Sequence, residues 1–190
     1  ILSPANGLPI VNPSQDIVLG IYYLTVDHPT QQSKVPVCAH THEVFLGYGE
    51  GKFSMHDNVK LMLEPGAEVA TAPGRREPAS MIETTVGRVI FNDGLPDGLP
   101  FVNGLLKKKG LQSLVHYVYL RHGINKTVET VDVLKDLGFQ YATRAGVSVS
   151  VSDMVVPPEK VNVVGKARSS QIEVEQQYQD GLITNRERYH

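Results

Sequence analysis

The sequence predicts an α+β fold, mainly helical with short antiparallel strands and ending in one arm of a helical coiled-coil hairpin. Three observations carry that expectation. Apolar residues recur at helical spacing over 17–24, 111–120 and 128–137. Short alternating runs such as "NVKLMLE" and "GVSVSVSDM" have the two-residue period of half-buried strands. After Pro157-Pro158 the chain turns polar, and Val164, Ala167, Gln171, Val174 and Tyr178 step alternately by three and four, the period of a coiled-coil seam.

Taken in order, residues 1–12 form a turn-rich opening. Pro4, Pro9 and Pro13 fix φ there, and Asn6-Gly7 is a strong turn pair. A helix follows, with Pro13 or Ser14 in its first turn, Asp16 favourable to the helix dipole, and Ile17, Val18, Ile21, Tyr22 and Leu24 on its apolar side. Residues 27–36 read as loop. A short helix starts near Thr41 and ends at Gly49 or Gly51. "NVKLMLE" is a strand, Pro65-Gly66 turns the chain, and "AEVATA" returns as a second strand. "APGRREPAS" reads as a loop with two arginines. "MIETTVGRVIF" is open between strand and helix, and "NDGLPDGLP" is loop because two Gly-Leu-Pro units sustain neither element.

The second half is more helical. Leu111, Leu114, Val115, Val118 and Leu120 form an apolar face that ends at His122-Gly123. Asn125 is placed to cap the next helix, which carries Val128, Val131, Leu134 and Leu137. "GVSVSVSDM" alternates as a short strand. Pro157-Pro158 opens a polar helix running to Gly181, and "TNRE" at Thr184–Glu187 matches a capping box that starts a further helix. The chain stops at His190 almost at once, and it begins without Met, so both ends are expected to be internal to a longer protein.

Composition narrows the function classes. The 190 residues are 41% hydrophobic and 20% charged, which is globular, and the net charge of −2 gives no whole-chain attraction to nucleic acid or membrane. The single Cys38 excludes an internal disulfide and suits a reducing compartment. No apolar run approaches the roughly 20 residues that span a bilayer, so the expectation is a soluble cytoplasmic domain. No phosphate-loop pattern, His-Glu-x-x-His run or nucleophile elbow is present.

Two local clusters stand out. "CAHTH" places Cys38, His40 and His42 within five residues, with His56 further on, and thiolate and imidazole are good zinc ligands. Their spacing departs from the usual zinc pairs, and His42 falls where a helix begins, so no metal is expected and the trio stands as a secondary candidate. Lys107, Lys108 and Lys109 form a basic spot suited either to a phosphate backbone or to water.

The opening string carries a resemblance. Ser3, Pro4, Gly7, Pro9, Pro13, Ser14, Gln15, Asp16, Leu19, Gly20, Tyr22 and Tyr23 fit, in order, the segment downstream of the catalytic aspartate loop in the beta-prime subunit of bacterial RNA polymerase. "TTVGRVIFN" at 84–92, "DLGFQYATRAGVSVSVSDM" at 136–154, "PPEK" and "QYQDGLITNRERY" are similar to later segments of the same family. The likeness is weakest between 27 and 79.

The resemblance implies residues 1–26 as the end of the region near the active site, 27–156 as the pore domain, and 157–190 as the first arm and tip of the funnel hairpin. Its implied role is to line the secondary channel by which NTPs arrive and backtracked RNA leaves during DNA-templated transcription. The chain is then part of a nucleotidyltransferase whose Mg²⁺-binding aspartates lie upstream. The segment itself is expected to hold no cofactor and to be inactive alone. Implied partners are the beta, alpha and omega subunits, DNA and RNA, NTPs, and transcript-cleavage factors at the hairpin tip, with no membrane, in the cytoplasm at the bacterial nucleoid.

Residue roles follow from the same resemblance. Ser14, Gln15 and Asp16 lie close to the active centre, where Gln15 and Asp16 either bond to catalytic-loop backbone or only start the helix. Arg144, with the three lysines, is a channel or phosphate candidate, or the partner of a buried carboxylate. Gln177, Asp180, Gly181, Leu182 and Arg186 form the factor-docking tip. Some relatives bind a guanosine tetraphosphate alarmone through a Lys, an Asp and a Tyr, where this chain has Asn125, Asp132 and Asp136. The alternative expectation is a free-standing metal-binding or transcription-factor-docking domain.

Overall fold

The computed structural model describes residues 2–7, 9–28, 35–72 and 75–189, so most of the expected loop at 27–36 and the Pro73-Gly74 pair lie outside the described residues. Helix α1 (Gln15–Thr25) starts behind Ser14, whose extended backbone makes it the N-cap, with Asp16 in the first turn as the sequence predicts. Its inward face is Gly20, Ile21, Leu24 and Thr25. The Thr25 hydroxyl donates to Ile21 O at 2.8 Å and accepts the Leu106 N–H at 3.1 Å, so this buried polar group is satisfied.

Strand β1 (Val37–Cys38) leads into α2 (Thr41–Gly49), within the expected bounds. Strand β2 (Asn58–Met62) is the "NVKLM" run, with Val59 and Leu61 buried. Then come β3 (Glu68–Ala72), β4 (Arg75–Pro78) and β5 (Met81–Thr85). The ambiguous "MIETTVGRVIF" is both elements in turn, because β5 runs directly into α3 (Val86–Gly94). Thr85 is the pivot: its hydroxyl accepts the Arg88 N–H and caps the helix. Strand β6 (Phe101–Val102) and helix α4 (Lys108–Ala145) follow.

Two three-stranded sheets result, ordered β1-β2-β5 and β4-β3-β6. The expected antiparallel strands are present, β2 with β5 and β3 with β4, and two short parallel pairings that the sequence does not predict join them: β1 runs parallel to β2, and β3 parallel to β6. Each parallel pair is separated in sequence by at least one helix, and such intervening elements let the chain re-enter a sheet in the same direction. The "AEVATA" strand does not return on β2 but pairs with β4 and β6.

Other expectations are also corrected. "APGRREPAS" is not wholly loop, since 75–78 is strand β4 at a sheet edge. Pro78 suits an edge, and the strand's pairing is made by backbone, which leaves no apolar alternation to read. "NDGLPDGLP" gives its first three residues to α3, whose inward face extends the helix to Gly94. Leu120 is exposed rather than part of the buried face of Leu111, Leu114, Val115 and Val118.

Asn125 is not a cap. Helix α4 breaks at Gly123 alone, at φ 77 and ψ −176, and resumes immediately, with the Thr127 hydroxyl donating to Gly123 O at 2.8 Å. Only glycine takes that backbone without strain. A second pair of glycines sets how α1 meets α4. A Cβ on Gly20 would stand 1.8 Å from Gly138 O, and one on Gly138 would stand 2.7 Å from the Ile17 Cα. The two helices therefore touch backbone to backbone, around a core whose largest fully buried members include Phe91, Ile21, Leu24, Leu61, Leu111 and Leu134.

The chain divides into two compact units, Ile1–Val147 and Ser148–His190. The second opens with another correction: "GVSVSVSDM" forms no strand but a single 3-10 turn, Val151–Asp153. Ser150 and Asp153 satisfy each other in a capping box, and such local bonds compete with a strand ladder. Helices α5 (Lys160–Gln179) and α6 (Asn185–Arg188) complete this unit, and neither contains a buried residue.

Candidate functional site

The chemistry-bearing residues that the sequence singles out fall into separate places. Ser14, Gln15 and Asp16 are consecutive, exposed and at the start of α1, behind the buried Pro13. Ser14 makes no side-chain cap. At the other end of this 11-residue helix, about 16 Å along its axis, Thr25 touches Leu106 and so the approach to Lys107, Lys108 and Lys109. Lys107 is the N-cap of α4, and no acidic residue occupies that first turn. Three cations at a helix N-terminus oppose its dipole, a small cost to the start of α4.

Arg144 is at the far end of the same helix, exposed, with its guanidinium over the Tyr141 ring at 5.2 Å. The four cations therefore do not form one patch, and among the described residues no ion pair joins Arg144 to a carboxylate. Burial pushes the Tyr141 hydroxyl above its ordinary pKa, against the opposing pull of Arg144.

The buried arginine is a different one. Arg88 on α3 is 7% exposed. It donates from Nε to Thr25 O at 3.1 Å, from one terminal nitrogen to Asp27 at 2.7 Å, and from the other to Asn103 at 3.4 Å. Asn103 in turn donates to Glu83 O at 2.9 Å. One guanidinium thus ties the end of α1, β5 and the segment after β6, which suits its planar fork. Sequence reasoning reached the surrounding "TTVGR" without assigning this role. The signal was there: a lone cation inside an otherwise apolar helix start needs a partner.

The "CAHTH" trio diverges. Cys38 is buried, and desolvation followed by the nearby Glu43 charge pushes its thiol above the ordinary value, opposite to what a thiolate ligand needs. Glu43 is occupied in accepting the Ala39 N–H at 2.9 Å. His40 holds the N-cap position of α2 without a side-chain capping bond and borders an acidic hollow of about 390 Å³ with Glu64, Glu68, Asp93 and Asp97, whereas His42 faces solvent. His56 spends its Nε2 on Tyr23 O at 2.7 Å. Among the described residues no three His, Cys, Asp or Glu side chains gather as a metal site requires.

A smaller apolar groove of about 170 Å³ lies between Leu2, Pro9 and Val11 and the α4 residues Tyr119, Ile124 and Val128, with Asp132 at its rim. Asp132 and Asp136 both hold Lys135, at 3.5 and 3.3 Å. Of Asn125, Asp132 and Asp136, the last two are therefore already paired within this chain.

In the second unit the tip is built as the sequence indicates. Gly181, at φ 73, donates to Tyr178 O, and Leu182 donates to Gln177 O, the paired bonds of a Schellman stop. The Thr184–Glu187 capping box forms, and hydrogen bonds from Thr184 hold the Glu187 carboxyl below its usual pKa. Arg188 then folds back over the Tyr178 ring at 4.4 Å and reaches Glu175 at 3.3 Å. Gln177 is half-buried, while Asp180, Leu182 and Arg186 project outward.

These features define an α+β module that ends in a polar helical unit, in keeping with the fold of the class that the sequence resembles. Residues 1–154 match the family profile RNA polymerase Rpb1, domain 3, and the chain belongs to that family. Its curated relatives are DNA-directed RNA polymerase subunits beta'. The one from Koribacter versatilis is 45% identical over 202 residues, that from Methylobacillus flagellatus 41% over 191, and that from Xylella fastidiosa strain M23 40% over 193. Each alignment covers 100% of this chain and 14% of the relative, so the chain spans about a seventh of the length of the relatives it matches.

Proposed function

We propose that this chain works as part of a beta' subunit, lining the secondary channel through which NTPs arrive and backtracked RNA leaves. The observation that carries the reading is end-to-end similarity to beta' subunits together with a domain profile that covers both the α1 start and the long α4. The exposed triplet Ser14, Gln15 and Asp16, with unspent polar groups, supports a position facing the active centre. The Mg²⁺ ions and catalytic aspartates come from elsewhere in the complete enzyme. The beta, alpha and omega subunits, DNA, RNA and NTPs are partners at that level, at the nucleoid. The outward residues of the hairpin tip suit docking of transcript-cleavage factors.

Cross-linking tests the channel. Gln15→Cys in a complete beta' subunit carrying this segment, assembled into polymerase and stalled on backtracked RNA with a photoreactive 3′ end, is expected to capture the transcript. Lys52→Cys, elsewhere on the surface, is expected not to. Equal capture at both positions, or none at Gln15, overturns the reading. The 190-residue chain alone with Mg²⁺ is expected to give no template-directed incorporation.

A further inference from the structure

The opening of the second unit holds an uncovered apolar run. Among the described residues the two least covered large apolar side chains are Val151, 91% exposed, and Val155, 86% exposed. Val149, Met154 and Val156 beside them are exposed as well. A single exposed valine is ordinary, but a contiguous run of them marks a surface that something covers.

The backbone adds a second observation. Residues 150–153 are closed by the capping box, in which the Ser150 N–H donates to the Asp153 carboxyl at 2.8 Å and the Ser152 N–H to the Ser150 hydroxyl at 3.1 Å. Just upstream, the Ser148 and Val149 amides have no acceptor among the described residues, and neither three-stranded sheet includes them. Ser150 is already extended, at φ −106 and ψ 159. An extended backbone with free amides and alternating valine and serine is half of a ladder.

We infer that Ser148 to Ser150 add as a short strand to the edge of a β-sheet formed by a part of the beta' subunit beyond these 190 residues, with Val149 set into the apolar side of that sheet. A helix laid on the run would cover the valines but leave the amides without acceptors, whereas a strand meets both needs. The turn at 151–153 stops the pairing, so only two or three ladder bonds form. That is too little to hold a separate molecule, but enough for a partner tethered to the same chain, where the effective concentration is high. The relatives offer such a partner, since about six-sevenths of each lies outside the stretch that matches this chain. The inference rests on membership of the family rather than on the channel reading. Failed transcript capture at Gln15 leaves it standing, and its own failure leaves the channel reading standing.

Polymerase assembled with a complete beta' subunit carrying this segment tests it. In the unmodified enzyme, hydrogen exchange at the Ser148 and Val149 amides is expected to be about 100-fold slower, or more, than in an unstructured peptide of the same sequence. Val149→Cys is expected to react with a maleimide about tenfold more slowly than Ser148→Cys, because alternate residues of a strand face opposite sides. A photoreactive maleimide carried on Ser148→Cys is expected to cross-link to beta' residues outside the segment. Fast exchange at the two amides overturns the inference, and this measurement needs no variant to assemble. Slow exchange with equal maleimide rates at the two positions overturns it too, since the segment would then be enclosed without a strand's two faces. Cross-linking to a different subunit or to a second copy of this chain overturns the assigned partner.

Discussion

The two units of this chain are held by different physics. The first is organised by burial. Its described residues include a buried apolar cluster of 22, a backbone-to-backbone crossing at Gly20 and Gly138, and a guanidinium that is almost wholly enclosed. The second has no buried residue in either helix and is shaped by a Schellman stop, two capping boxes and one arginine on a tyrosine ring. The lesson is that helix length is a poor guide to stability. Helix α5 is 20 residues long, yet each of its stabilising contacts is local and solvated, and contacts of that kind contribute about 1 kcal/mol or less.

That contrast can be broken most severely at the crossing. Gly138→Ala places a methyl group against Ile17 backbone that has no room to move, and it is expected to cost about 3 kcal/mol or more, or to prevent folding. Denaturant unfolding of the first-unit transition measures it. A loss under about 1 kcal/mol would show that α1 slides on α4, and that this unit is not set by burial geometry.

Next comes Arg88→Met, which leaves Thr25 O and Asn103 without their donor. The expected cost is about 2–3 kcal/mol in the same experiment. Asp27 is itself 61% exposed, so water takes over part of its loss and keeps the effect below that of a fully enclosed pair. A third change works in the opposite direction. The Thr84 hydroxyl is the one buried side-chain oxygen or nitrogen among the described residues without a partner, and Thr84→Val is expected to stabilise the first unit by about 1 kcal/mol.

In the second unit the same kinds of change are expected to register only locally. Arg188→Ala removes the contacts to Tyr178 and Glu175, and is expected to speed hydrogen exchange at 185–189 while leaving the global midpoint unmoved. Acid should do likewise. The Glu187 carboxyl is held below its ordinary pKa by Thr184, so its capping contribution is present above the unfolded-state value. It is lost as pH falls through the lowered one. Exchange at 184–188 followed from pH 6 to pH 3 checks this. A midpoint that drops with Arg188→Ala would mean that the tip is coupled to the main unfolding transition, and the comparison would fail.

What could be read from sequence divides along the same line. The tip was legible, because a Gly stop and a Thr-x-x-Glu box work within four or five residues. Helix α1 and the Val59–Leu61 strand were legible because one face of each is buried and the period shows. The parallel pairings and β4 were not, since β4 is joined by backbone bonds and its Arg-Arg-Glu-Pro sequence has no apolar rhythm. The alternating "VSVSVSD" misled for the opposite reason: it has the rhythm, but Ser150 and Asp153 close a turn first. Within the site, Ser14 to Asp16 were placed by resemblance. Arg88 was passed over because its partners lie 15 to 63 residues away.

The break at Gly123 has a consequence of scale. A straight 38-residue helix would be about 57 Å long. A compact body of some 147 residues has a radius of gyration near 15 Å and a diameter of about 40 Å, so such a rod would stand out of it by a third of its length. One residue that turns the wrong way lets the chain cut the rod in two. Leu111 and Leu134, on opposite sides of the cut, can then both be fully enclosed. Replacing that glycine would therefore change the size of the body before it changed any single contact.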